Sequence, residues 1–92
     1  MKTLQNFING KYVSPTSEKV QDLINPATGE VFAKAPVSNT SDVDKAMKSA
    51  ESAFESWKDS TPGERQKAIN KIADAIEARS EELIGIESEN TG

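Results

Sequence analysis

The fold of the amino-terminal third is decided by residues 20–37, which read VQDLINPATGEVFAKAPV. Val20–Ile24 contains β-prone Val, Leu and Ile, and Val31–Val37 alternates in the way that a half-buried strand does. The Asn25–Glu30 segment between them carries proline and glycine, which are typical of turns. We predict two paired strands joined by this turn, with Pro36 at the end of the second strand or on an edge.

A second pair of strands precedes this stretch. The Asn9-Gly10 dipeptide favours a two-residue type I′ turn, because both central residues of that turn need a positive φ. It joins Leu4–Ile8 to Lys11–Val13, so residues 1–37 are predicted to form β-hairpins.

Three helical segments follow, at 41–58, 62–79 and 80–90. Ser41 is the expected N-cap of the first helix, and Asp42 and Asp44 suit its positive end better than acid–base catalysis. Thr61-Pro62-Gly63-Glu64 forms a capping box with proline at the first helical position. The first helix carries an apolar stripe, interpreted as core packing: Val43, Ala46, Met47, Ala50, Ala53, Phe54 and Trp57. The predicted fold class is α+β, with N-terminal β-hairpins followed by two or three α-helices.

Length and composition limit the number of domains and the classes of partner that the chain can have. Ninety-two residues make one small domain or part of a larger one, and 35% apolar residues with a mean hydropathy of −0.62 hint that some faces are completed by further protein. The net charge of −4 comes from interspersed acids and bases, which argues against a nucleic-acid partner. No apolar run approaches a membrane span and Met1–Asn6 is unlike a secretory signal, so we expect a cytoplasmic protein with no membrane partner.

Two residue types that carry much of enzyme chemistry are absent. Without cysteine or histidine there is no thiolate nucleophile and no imidazole base. The five glycines, at positions 10, 29, 63, 85 and 92, form no phosphate-binding loop. We therefore assign no catalytic and no cofactor-binding residue in this chain.

Several short strings together resemble the start of the aldehyde dehydrogenase superfamily. The most specific combination is Asn25–Glu30, followed at a distance by Pro62-Gly63-Glu64-Arg65 and by Thr91-Gly92. The remaining strings are Phe7–Val13, Asp42–Ala46, Ala53-Phe54 with Trp57, Ile72–Asp74, Ile76-Glu77 and Glu87–Asn90. The resemblance covers essentially the whole chain, but it corresponds to only the first part of the longer proteins of this family. It implies that residues 1–92 are an N-terminal fragment, a partial piece of the α/β cofactor domain.

The resemblance also implies what the longer parent enzyme does. Members oxidise an aldehyde to a carboxylic acid with NAD or NADP, using a cysteine and a glutamate that lie beyond the strings found here. The fragment would then be structural and inactive alone, with the remainder of the chain as its partner in a parent that is a homo-oligomer. The strings look closest to aminobutyraldehyde and betaine-aldehyde dehydrogenases, with succinate-semialdehyde enzymes next.

One site carries over from that resemblance. Betaine-aldehyde-type relatives hold a monovalent cation, and the matching positions here are the carbonyls of Leu23 and Ile24 and the side chain of Asn90. Asn90 stands where these relatives have aspartate, so an oxygen ligand is kept and its charge is lost. A K+ or Na+ site is one interpretation, because hard cations take carbonyl and carboxamide oxygens. The other is an asparagine that merely ends a helix.

The alternative function is a stand-alone, non-catalytic module that binds a partner through an apolar face. The packing of the helices separates the two hypotheses. Helical stripes that pack fully on each other and on the hairpins would favour an autonomous domain. A stripe that stays exposed would favour an incomplete piece.

Overall fold

The structure, a computed structural model, describes residues 2–92 and places five short strands before three helices. The strands are β1 (Lys2–Thr3), β2 (Asn6–Ile8), β3 (Lys11–Val13), β4 (Val20–Ile24) and β5 (Val31–Pro36). The helices are α1 (Thr40–Trp57), α2 (Pro62–Ala78) and α3 (Ser80–Thr91). The α+β class predicted from the sequence is confirmed.

β1, β5 and β4 form a three-stranded sheet in that order. β4 and β5 pair antiparallel, from Val20 opposite Pro36 to Ile24 opposite Val31, so the second predicted hairpin is present and ends at Pro36. β1 pairs with β5 in parallel, with Lys2 opposite Ala33. A parallel strand was not expected within 1–37, because its partner lies about thirty residues away and no local signal marks such a contact. Residue 1 of that predicted segment lies outside the described residues.

β2 and β3 form a separate two-stranded hairpin. Asn9 and Gly10 have φ values of 54° and 75°, as the predicted type I′ turn requires. Phe7 and Tyr12 lie opposite each other with ring centroids 5.2 Å apart, in an edge-to-face arrangement. The first strand begins at Asn6 and is shorter than the predicted Leu4–Ile8.

The N-cap of α1 is Asn39, so the prediction of Ser41 is wrong. The Asn39 side chain accepts a hydrogen bond from the backbone N–H of Asp42, and the Asp42 side chain accepts one from the backbone N–H of Asn39. Both candidates have an acid at the third helical position, Asp42 after Asn39 and Asp44 after Ser41, but the reciprocal hydrogen bonds form between Asn39 and Asp42. α1 therefore starts and ends one residue before the predicted 41–58.

The other two helices follow their sequence signals closely. α2 begins with the predicted capping box, in which Thr61 Oγ1 accepts from Glu64 N–H at 3.1 Å. It ends at Ala78, and Arg79, with φ −114° and ψ 22°, interrupts the helical backbone before α3. α3 runs to Thr91, one residue beyond the predicted 80–90, so Asn90 lies inside its last turn.

The large apolar side chains are exposed, contrary to the prediction that they pack in a core. Met47, Phe54 and Trp57 are 64%, 57% and 48% exposed, and Ala33 is the buried apolar residue of the sheet. The Cα radius of gyration is 16.7 Å, against about 12 Å for a compact chain of this length. The described residues form a slab of 48 × 34 × 16 Å, which has no room for a thick interior.

Candidate functional site

The Asn25–Glu30 turn is an internally hydrogen-bonded unit at one end of the sheet. Asn25 Oδ1 accepts from Ala27 N–H at 2.9 Å, and the Asn25 carbonyl accepts from Gly29 N–H at 2.7 Å. Asn25 N–H donates to the carbonyl of Glu30 at 2.9 Å, which closes the turn onto β5. Gly29 has a φ of 74°, a conformation that favours glycine. The shape of the turn therefore follows from its own sequence.

The strand that enters this turn is irregular where the cation site is predicted. Leu23 pairs with Ala33 and Ile24 with Val31, so Phe32 is an extra residue between them and the register shifts there. A bulge of this kind interrupts the ladder and leaves a residue unpaired. The residue left unpaired is Phe32 on β5, and Leu23 and Ile24 lie opposite it at the end of β4, where the register shifts.

The end of α3 lies against the same turn. A Cβ built on Gly92 would come within 3.0 Å of Pro26 Cγ and 3.6 Å of the Ala27 nitrogen, so the two backbones are in close approach. Gly92 N–H donates to the Ser88 carbonyl at 2.8 Å, which ties this residue to the last turn of α3. The structure therefore brings the region of Asn90 and the region of Leu23 and Ile24 to one end of the sheet.

The donors predicted for the cation site are neutral oxygens. Two backbone carbonyls and a carboxamide suit a hard cation of low charge better than a transition metal, which favours imidazole or thiolate. Within residues 2–92 there is no group of three or more His, Cys, Asp or Glu side chains placed to hold a metal ion. The chemistry of the donor set fits K+ or Na+.

A second polar site, which we call the α1 junction, joins Thr16 to Asn39 and Asp42. Asp42 is only 4% exposed, and its two carboxylate oxygens accept from Thr16 N–H at 2.8 Å and Asn39 N–H at 2.9 Å. Asn39 Oδ1 also accepts from Thr16 Oγ1 at 3.0 Å. The sequence assigned Asp42 to capping but gave no sign that it also binds the loop 26 residues earlier.

The hydrogen bonds of the α1 junction favour the charged form of Asp42. The backbone N–H groups of Thr16 and Asn39, in that order, lower the pKa of its carboxyl group below the usual 3.8, against the opposing effect of burial. Lys45 on the next turn of α1 lowers it further. Asp42 is thus a structural carboxylate that stays ionised, unsuited to act as a general acid near neutral pH.

An ion pair marks the start of α3. Arg79 donates to both carboxylate oxygens of Glu82, at 2.8 Å and 2.7 Å. This hydrogen-bonded pairing raises the pKa of Arg79 and lowers the pKa of Glu82. Both side chains are more than half exposed, so water and salt screen the pair and its contribution to stability is small.

α1 has two different faces. Its small side chains line the groove beside the β2–β3 hairpin, where cavities of about 250 and 380 Å³ are bordered by Asp42, Ala46, Ser49 and Ala53. Its large apolar side chains are exposed, and Val43 among them also borders the smaller of these cavities. Together with the exposed apolar residues of α2 and α3 it makes what we call the open apolar surface: Val43, Met47, Phe54, Trp57, Ile69, Ile72, Ile76, Leu83, Ile84 and Ile86.

Comparison with known proteins gives the family. Residues 12–92 match the sequence model of the Aldehyde dehydrogenase family. The chain belongs to the aldehyde dehydrogenase family. This aldehyde dehydrogenase chain is 45% identical over 89 residues to 2-aminomuconic semialdehyde dehydrogenase of Danio rerio, covering 97% of this chain and 18% of that protein. It is 39% identical to malonate-semialdehyde dehydrogenase of Lacticaseibacillus casei, covering 100% of this chain and 19% of that protein.

A solved structure gives the same result for the fold. An aldehyde dehydrogenase from Bartonella henselae superposes with a TM-score of 0.93 and 32% identity, covering 97% of this chain and 19% of that one. The α+β arrangement of this aldehyde dehydrogenase chain is therefore the arrangement of the matching part of a solved relative. The chain spans about a fifth of the length of the relatives that it matches. Within residues 2–92, no helix is both long and apolar enough to cross a membrane.

Proposed function

We propose that residues 1–92 are the amino-terminal structural part of an aldehyde dehydrogenase that oxidises an aldehyde to a carboxylic acid with NAD+ or NADP+. In this proposal the 92 residues contribute packing to the parent enzyme and have no catalytic activity alone. The observation that carries it is the open apolar surface on a chain that spans 18% of a relative with 45% identity. Apolar surface of this extent marks an interaction site, and the rest of an aldehyde dehydrogenase is the partner that the family supplies.

The cofactor would be bound by other parts of the parent enzyme. A Rossmann-type site holds the pyrophosphate of NAD(P) at a helix N-terminus that follows a glycine-rich turn. The helix starts described here are capped instead by the side chains of Asn39 and Thr61, and Gly63 lies one residue inside α2. These residues do not fit a dinucleotide, so we derive no step of the oxidation from them.

The proposal is tested by complementation. A relative from which the matching first fifth has been deleted is mixed with the 92-residue chain, and NADH formation from an aldehyde is followed. We expect no NADH from either piece alone and recovered turnover from the mixture. NADH formation by the 92-residue chain alone would overturn the assignment of a purely structural role.

A matched pair of variants on α1 tests which face docks. Phe54→Ser removes an apolar side chain from the open apolar surface, and Lys48→Ser changes an exposed polar residue of the same helix. We expect Phe54→Ser to lower the recovered activity severalfold and Lys48→Ser to leave it unchanged. Equal recovery with both variants would show that this stripe is not the docking face.

The substrate proposal follows the relatives. We propose that the parent enzyme acts on a semialdehyde, because the relatives with 45% and 39% identity are named for 2-aminomuconic and malonate semialdehydes. The strings in the sequence looked closer to aminobutyraldehyde and betaine-aldehyde enzymes, and the two expectations differ in charge. A comparison of kcat/KM for malonate semialdehyde and betaine aldehyde in the parent enzyme decides between an anionic and a cationic substrate.

We also propose that the parent enzyme is a homo-oligomer. Measurement of its mass in solution tests this proposal.

The cation site remains part of the proposal. Two observations support a K+ or Na+ ion held by the Leu23 and Ile24 carbonyls and the Asn90 side chain. These are the bulge at Leu23–Ile24 and the close approach of Gly92 to Pro26. We expect thallium(I), a K+ mimic observed by NMR, to bind saturably and to be displaced by K+. Asn90→Ala should weaken this binding, and an unchanged titration would remove Asn90 from the site.

The alternative function is a self-sufficient interaction module with no enzymatic parent. The exposed stripes of all three helices argue for an incomplete piece over an autonomous domain, because an autonomous domain buries its large apolar residues. Failure of complementation together with saturable binding to an unrelated protein would favour the module.

A further inference from the structure

The two glycines of the α3 region have different surroundings. Gly85, in the middle of α3, has nothing within 4 Å of the position that a Cβ would take. Gly92 has Pro26 Cγ at 3.0 Å from that position and a φ of +81°. A side chain at residue 92 would meet both a steric and a conformational penalty, and neither applies at residue 85.

The steric penalty has no easy relief. Pro26 Cγ belongs to a ring that has few alternative conformations, and Ala27 N, 3.6 Å away, is backbone held by its bond to Asn25 Oδ1. Since neither neighbour can rotate aside, a Cβ at residue 92 would push the end of α3 away from the turn.

α3 depends on such end contacts because its body is not buried. None of its residues is buried, and Leu83, among its least exposed large apolar residues, is still 41% exposed. At its start, Glu82 lies within electrostatic range of Lys2 on β1, which lowers the pKa of Glu82 slightly further. At its end it meets Pro26 and Ala27. Its start is fixed by its direct connection to α2 at Arg79 and by contact with that helix, so the contact of Gly92 with the turn is what fixes its far end.

We propose that Gly92 and the Asn25–Glu30 turn form a joint that fixes the end of α3 against the sheet, with Gly92 as the positioning residue. This joint sets the position of Asn90 relative to the Leu23–Ile24 bulge. The second statement rests on the proposed cation site, whereas the joint itself does not. We call this contact the α3 joint.

The experiment compares Gly92→Ala with Gly85→Ala in the full-length parent enzyme. Amide exchange is measured at residue 92, whose N–H bonds to the Ser88 carbonyl, and at Ala27, which lies in the joint. We expect Gly92→Ala to speed exchange at both amides about five- to thirtyfold, the range for forcing a side chain into the left-handed region. Gly85→Ala should not speed exchange at either. Adding Pro26→Ala to Gly92→Ala should recover part of the loss by removing the Cγ contact.

Thallium(I) titration of the same proteins separates the two statements. Saturable binding to the wild-type chain that weakens in Gly92→Ala but not in Gly85→Ala supports both. Saturable binding that is equal in the two variants overturns the positioning of Asn90 and leaves the cation site standing. No saturable binding to the wild-type chain overturns the cation site, and the exchange data then decide the α3 joint alone. Equal exchange in the two glycine variants overturns the α3 joint.

Discussion

The β strands with α1 and the α2–α3 pair are held in different ways. The first region is tied together at the α1 junction by directional bonds among Thr16, Asn39 and Asp42, and it contains the buried residues Pro15, Ala33 and Asp42. In α2 and α3 no residue is buried, and their apolar side chains lie on the open apolar surface. The buried polar groups of the α1 junction therefore find hydrogen-bond partners within these residues, whereas the large apolar side chains stay exposed.

The difference follows from what each interaction needs. A hydrogen bond is satisfied by one partner at the right distance, and short loops provide such partners within 92 residues. Apolar burial needs area on both sides, and a slab 16 Å thick offers only one side to each helix. Polar contacts thus define the tertiary structure of the first region, whereas the large apolar side chains of the second region, like those of α1, stay exposed.

The largest expected effect comes from removing the carboxylate of the α1 junction. Asp42→Ala deletes the acceptor of the Thr16 and Asn39 amides and leaves both donors unpaired. We expect their hydrogen exchange to rise to the rates of unstructured peptide, while α2 keeps its helical signal. Asp44→Ala, an exposed acid two residues later, is the control and should change neither amide. Protected Thr16 and Asn39 amides in Asp42→Ala would remove the contrast between the regions.

Acid should weaken the same region without a mutation. Because the folded pKa of Asp42 lies below 3.8, its contribution to stability is fully present above that value and is lost as the pH falls through the lowered pKa. We expect the Thr16 amide to lose protection below about pH 3.8, before the α2 amides change. Amide exchange as a function of pH measures this, and Asp42→Asn should abolish the transition.

A smaller and local effect is expected in the second region. Thr61→Ala removes the N-cap of α2 and should cost about 1 kcal/mol of helix stability. Circular dichroism on heating should show lost helix, and the Thr16 amide should stay protected because α2 is not part of the α1 junction. Asn70→Ala, in the exposed middle of α2, is the opposite control and should raise helicity. Loss of Thr16 protection in Thr61→Ala would mean that the regions fold as one unit.

The smallest effect is expected for the surface pair of the sheet. Lys34 Nζ lies 3.4 Å from Asp22 Oδ1, and both side chains are more than 40% exposed. We expect Asp22→Asn to change the free energy of unfolding by less than about 0.5 kcal/mol. Urea titration measures this change. A loss of unfolding free energy as large as that expected for Thr61→Ala would show that this surface ion pair also stabilises the first region.

Local signals in the sequence predicted local structure well. The Asn9-Gly10 turn, the Thr61 capping box and the break at Arg79 each depend on residues within four positions of one another, and the structure has all three. The choice between Asn39 and Ser41 as the cap could not be made from this signal, because Asp42 stands three residues after Asn39 and Asp44 three residues after Ser41.

Contacts between residues far apart in the chain could not be predicted from the sequence. The parallel pairing of Lys2 with Ala33, the bond from Thr16 to Asp42 and the approach of Gly92 to Pro26 join residues 26 to 66 positions apart. Periodicity identified the apolar stripe of α1 but gave no information on whether a partner layer covers it. The positions of the cation site came from resemblance to a family, and the bulge beside them appeared only in the structure.

The 16 Å thickness of the slab has a consequence for chemistry. At that thickness few side chains can be enclosed, and the large apolar ones stay exposed while Ala33 and Asp42 are buried. A cavity from which solvent is expelled needs protein on several sides. A wall of this kind can form one boundary of such a cavity, and the enclosed volume arises only when other walls meet it.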